Sequence, residues 1–89
     1  MIPVKEAVQK AMSFALGVLD PTRTAAVLLE EVERGTLNGD DVWLITLSLP
    51  DPSAPLTLSG GHRQYKTFTV HGQTGEVLSM KIRQLSGAM

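Results

Sequence analysis

Apolar side chains recur between residues 3 and 19 at Val4, Ala7, Val8, Ala11, Met12, Ala15, Leu16 and Leu19, the i, i+3, i+4, i+7 spacing of one helix face. The spacing predicts an amphipathic helix over 3–19, with Lys5, Glu6, Gln9, Lys10 and Ser13 turned to water. Pro3 suits the first turn, where a missing amide hydrogen has no partner to lose. Asp20-Pro21 ends the helix, because the proline ring opposes helical geometry at the residue before it.

The period then changes to two. Over 41–49, Trp43, Ile45, Leu47 and Leu49 fall on one side and Val42, Leu44, Thr46 and Ser48 on the other, which predicts a strand. Residues 64–71 are rich in strand-preferring types, with Phe68 and Val70 sharing a side. Over 76–84, Leu78, Met80 and Ile82 point inward and Ser79, Lys81 and Arg83 outward. Between these two runs lies Gly72-Gln73-Thr74-Gly75, whose glycines supply the positive φ of a tight connection, so 64–84 predicts a hairpin.

Residues 23–34 fit two readings. Ala25, Leu28, Leu29 and Val32 make a helix stripe, and Glu30 precedes Arg34 by four positions. A strand over 27–34 is the preferred reading, because Gly35, Asn38 and Gly39 then turn the chain into the Trp43 strand and complete a second hairpin. Residues 50–63, with Pro50, Pro52, Pro55 and Gly60-Gly61, cannot form ladder and read as a long loop joining the hairpins. The whole of 1–89 is thus expected to be a single α+β domain, one N-terminal helix packed on a four-stranded antiparallel sheet made of two hairpins. Trp43 is expected in the core under the helix, beside Ile45 and Leu47.

Composition narrows the function. Eight basic against nine acidic residues give a net charge of −1, so no basic excess exists to meet a phosphate backbone, and nucleic acid is not an expected partner. The absence of cysteine excludes a disulfide framework and thiolate metal ligation. A chain of this size buries only about 60–65% of its unfolded surface, which makes homodimerisation a natural supplement to its stability. The uncharged run from Ala11 to Leu19 is too short to span a membrane. Glu6 within the would-be basic region, and the lack of an A-x-A cleavage site, argue against a signal peptide. The expectation is a cytoplasmic chain without a membrane partner, extracytoplasmic if the N-terminus is a fragment or an atypical signal.

Catalytic and metal chemistry find little footing. His62 and His71 lack third and fourth metal ligands, and Glu30, Glu31, Glu33, Asp40 and Asp41 lack the order of a calcium loop, so neither metal nor cofactor is expected. No G-x-S-x-G elbow is present, and Gly60-Gly61-His62-Arg63 lacks the phosphate-loop pattern and reads as a hinge. No catalytic residue is assigned, and the chain is expected not to be an enzyme.

Glu30-Glu31-Val32-Glu33, Trp43-Leu44-Ile45-Thr46-Leu47, Tyr65-Lys66-Thr67-Phe68-Thr69-Val70 and Thr74-Gly75-Glu76-Val77-Leu78-Ser79-Met80 stand in an element order that resembles the PepSY-like domains of bacteria over nearly the full chain. That family's last hairpin reads roughly V-D-x-x-T-G-E-V. Thr74 to Val77 match its end, while His71 stands where the family commonly carries an acid that hydrogen-bonds the turn amides. The resemblance implies a helix across a four-stranded sheet, of PepSY-like or cystatin-like form. It also implies a binding or inhibitory module, since related domains occur in metallopeptidase propeptides and in secreted or membrane-attached regulators.

With the helix on one side, the other sheet face is expected to expose Val42, Leu44, Thr46, Tyr65, Thr67, Thr69, Lys81 and Arg83. Leu44, Thr46, Tyr65, Thr67, Thr69, Lys81 and Arg83 are the candidate protein-binding residues, because a half-polar open sheet docks flat surfaces. The functional expectation is a non-enzymatic protein-binding or regulatory domain, in one form inhibiting a peptidase. Its alternative is a self-associating structural domain with no other ligand.

Overall fold

The computed structural model describes residues 1–19, 26–50 and 63–83. Helix α1 spans Val4–Val18, and strands β1 (Leu28–Leu37), β2 (Asp40–Pro50), β3 (Arg63–His71) and β4 (Val77–Arg83) follow. They form one antiparallel sheet in the order β1-β2-β3-β4, with α1 packed across β2, β3 and β4. This is the expected α+β layout. Segment 23–34 is strand from Leu28 onward, so the helical alternative fails there. The predicted loop gives up Pro50 to β2 and Arg63 to β3, and its middle, with His62 and the Gly60-Gly61 hinge, lies outside the described residues.

Three alanines decide how the helix sits. Ala7, Ala11 and Ala15 recur one per turn and are fully buried, so nothing larger than a methyl group separates the helix backbone from the sheet. Ile45, Leu47, Phe68 and Val70 meet them from below. Phe14 packs edge-on against Phe68, ring centroids 6.2 Å apart and planes at 75°. The apolar stripe of the sequence is therefore rotated: Leu16, read as inward, is 60% exposed, and Phe14 takes the inner place.

The chain start is tied to the far end of the sheet. The Ile2 amide donates to the Gly72 carbonyl at 2.6 Å, and Trp43 Nε1 donates to the Ile2 carbonyl at 3.0 Å. Trp43 is half-buried at the margin of the core, with the Arg34 guanidinium 5.9 Å from its ring centroid.

Both hairpins differ from the expected register in an instructive way. β1 runs three residues past Arg34, because Asn38 (φ 52°) and Gly39 (φ 85°) suffice for a two-residue turn that closes Leu37 on Asp40, leaving Gly35 within the strand opposite Val42. A bulge between Leu29 and Glu31 leaves Glu30 without a cross-strand partner. A second bulge sets Val77 opposite Val70 and Ser79 opposite Thr69. Leu78, read as inward, is displaced to the surface at 39% exposure, and Val77 packs on the core instead.

Candidate functional site

The seven candidate residues lie on one face, the side of the sheet away from α1. Register sets Leu44 opposite Thr69, Thr46 opposite Thr67, Tyr65 opposite Arg83, and Thr67 opposite Lys81; cross-strand partners share a face. β1 extends these rows with Glu31 opposite Thr46 and Glu33 opposite Leu44. The face therefore has the Thr46/Thr67 pair at its middle, Leu44 and Tyr65 to either side of it along the central strands, carboxylates along the β1 side and cations along the β4 side. No described element lies over it.

It is less open than the sequence implied. Lys81 and Arg83 are exposed, Leu44, Tyr65, Thr67 and Thr69 are half-buried, and Val42 and Thr46 retain only 1% and 3% of their surface. Arg83 accounts for part of this. It reaches across the sheet to pair with Glu31, and on the way its Nη1 donates to Thr46 Oγ1 at 3.3 Å. The Thr46 and Thr67 hydroxyls in turn share a hydrogen bond of 3.1 Å. A cation anchored on β4 thus roofs the middle of β2.

A second polar network closes one end of the face. Arg63 Nε donates to Ser48 Oγ at 2.8 Å, and Ser48 Oγ donates to Glu30 Oε2 at 2.7 Å. Arg63 Nη2 also binds the Ser48 carbonyl at 2.9 Å and the Ala26 carbonyl. Ser48 is fully buried, so this satisfaction is what makes its burial tolerable. Alternation along the chain does not reveal this network, because it depends on the bulge that frees Glu30 from a cross-strand partner and lets its carboxylate reach Ser48.

At the opposite end, His71 Nδ1 accepts the amides of Gln73 at 3.1 Å and Thr74 at 3.3 Å, while Nε2 lies 3.5 Å from Asp40 Oδ2. Glu76 N donates to Thr74 Oγ1 at 3.2 Å. Gly75, at φ 77°, completes the turn, and a Cβ there would sit 3.2 Å from Lys10 Cε on the helix. These contacts occupy His71 with shaping the turn.

Among the described residues no three His, Cys, Asp or Glu side chains converge on a metal position. A depression of 540 Å³ lies along the outer side of α1, lined by Pro3, Lys5, Glu6, Gln9, Lys10 and Ser13. Its charges are of both signs, and it is on the far side of the helix from the candidate face. No described helix is long and apolar enough to cross a membrane. No protein-family model, no curated protein and no solved structure matches the chain.

Proposed function

We propose that the chain is a non-enzymatic protein-binding module that docks a protein partner flat on the sheet face away from α1. The observation carrying this is the arrangement of that face: Leu44 and Tyr65 on the two central strands, either side of the Thr46/Thr67 pair, with carboxylates at Glu31/Glu33 on one margin and cations at Lys81/Arg83 on the other. Protein interfaces share this anatomy, in which the centre supplies desolvation and the rim sets orientation. With Arg83 and Glu31 paired to each other, a partner matching it presents a basic group toward Glu33 and an acidic group toward Lys81. The regulatory form, inhibition of a peptidase, rests on the PepSY-like resemblance.

Site-specific photo-crosslinking tests the reading. A photoreactive residue replacing Thr67, in the middle of the face, is expected to trap one protein from an extract of the source cells. The purified protein should bind the wild-type chain and lose at least about tenfold in affinity toward a Tyr65→Ala/Lys81→Glu double variant. Trapping of the same protein with equal yield from Ser13, on the outer side of α1, would overturn the reading.

A further inference from the structure

β1 and β4 are the two edges of the sheet, and neither has a described partner on its outer side. Which of their backbone groups point outward follows from the ladder. The Gly72 amide donates to the Asp41 carbonyl, so odd residues of β2 face β3 and even ones face β1. The β1 partners of those even residues are Glu31, Glu33 and Gly35, which leaves the amides and carbonyls of Val32 and Arg34 turned outward. Likewise the His71 amide binds the Glu76 carbonyl, so odd residues of β3 face β4, their partners Ser79, Lys81 and Arg83 face inward, and Met80 and Ile82 turn their backbone outward.

We propose that copies of this chain join edge to edge, β4 of one against β1 of the next, antiparallel, with Ile82 opposite Val32. This register joins outward-facing backbone on both sides. It also sets Lys81 opposite Glu33 and Arg83 opposite Glu31, at the closer, non-hydrogen-bonded positions. All four charges lie on the helix-free face, while Ile82 and Val32 meet on the helix side. Ile82 is 60% exposed within one copy, and Lys81 and Glu33 make no ion pair among the described residues, so both gain partners. Arg83 exchanges Glu31 of its own copy for Glu31 of the neighbour. The regular stretches also coincide, since the bulges lie outside Glu31–Gly35 and Ser79–Arg83.

Charge weighs against the symmetric alternatives centred on the same residues, Val32 opposite Val32 and Ile82 opposite Ile82. The first sets Glu31 opposite Glu33 of the other copy, and the second sets Lys81 opposite Arg83. The head-to-tail contact is heterologous, so it extends the sheet rather than closing a dimer. Its short edge makes it weak, below the size of a stable interface. The centre of the helix-free face stays uncovered in the assembly, although the contact draws on its charged rims; the proline variants below touch the edge alone and separate the two readings.

Sedimentation equilibrium of the full chain up to about 1 mM, where a millimolar Kd is half saturated, tests the inference. The expected result is a weight-average mass that climbs past the dimer without a plateau and falls back in about 1 M salt, where the screening length is near 3 Å. Lys81→Glu alone and Glu33→Lys alone should each remain monomeric, and an equimolar mixture of the two should associate again. Val32→Pro and Ile82→Pro each remove an outward amide and no ladder bond within the chain, so each should be folded and monomeric alone and the pair should form a dimer that grows no further. A wild-type chain monomeric throughout would overturn the inference. So would single charge variants that associate like wild type, or an Ile82→Pro chain that dimerises by itself.

Discussion

His71 Nδ1 accepts the backbone amide of Gln73 at 3.1 Å, and that of Thr74 beyond it at 3.3 Å. An imidazole nitrogen thus supplies the acceptor that the amides of this turn require. The contact also fixes the ring: with Nδ1 accepting, Nε2 is the nitrogen turned toward Asp40. Replacing His71 by Leu removes the acceptor and should lower unfolding free energy by about 0.5–1.5 kcal/mol in urea titrations. His71→Asp should restore the acceptor but face Asp40, so the double change His71→Asp/Asp40→Asn should be the more stable of the two.

Gly72 is constrained by space. A Cβ there would lie 2.6 Å from the Asp41 carbonyl oxygen, the atom that accepts the Gly72 amide, and 3.1 Å from Met1 Cε. Gly72→Ala should therefore cost about 1–3 kcal/mol, as overpacking does, and loosen the start of the chain that Gly72 holds through Ile2. Gly17, where a Cβ meets nothing within 4 Å, is the control: Gly17→Ala should stabilise by up to about 1 kcal/mol. Thermal unfolding of the pair reads both signs.

The helix–sheet contact makes a second contrast. Ala11→Leu forces the helix away from Ile45 and Phe68 and should cost about 1–3 kcal/mol. Leu16→Ala, on an exposed position, should stay within about 0.5 kcal/mol of wild type in the same titration.

The ladder parity predicts where proline is tolerated. Thr69 bonds inward to Ser79, so Thr69→Pro breaks the centre of the sheet and should abolish the cooperative unfolding transition. Val32 turns its amide outward, and Val32→Pro should leave that transition in place with reduced stability.

These contrasts mark how far the sequence could be read. Element types and order were legible because Trp43 to Leu49 alternate cleanly and Ala7, Ala11 and Ala15 keep helical spacing. The bulges at Glu30 and Leu78 were not, since one extra residue leaves composition unchanged, and on β4 Met80 and Ile82 keep the faces that alternation assigned them while Leu78 alone is displaced. The helix rotation was equally hidden. Leu16 and Phe14 are both apolar, and only the packing of Phe14 on Phe68 decides which one turns inward. For the candidate face, alternation assigned all seven residues to one side, but it could not foresee that Arg83 lies down over Thr46. Long-range polar reach of that kind leaves no local trace in the chain.

The most direct test of the central claim compares two surfaces of the same folded chain. Calorimetric titration of the crosslinked partner, once purified, should show Tyr65→Ala/Lys81→Glu losing binding while Lys5→Ala/Lys10→Ala, on the outer side of the helix, retains wild-type affinity. Loss of binding in the helix variant with full retention in the sheet variant would place the partner on the wrong side of the molecule and contradict the account.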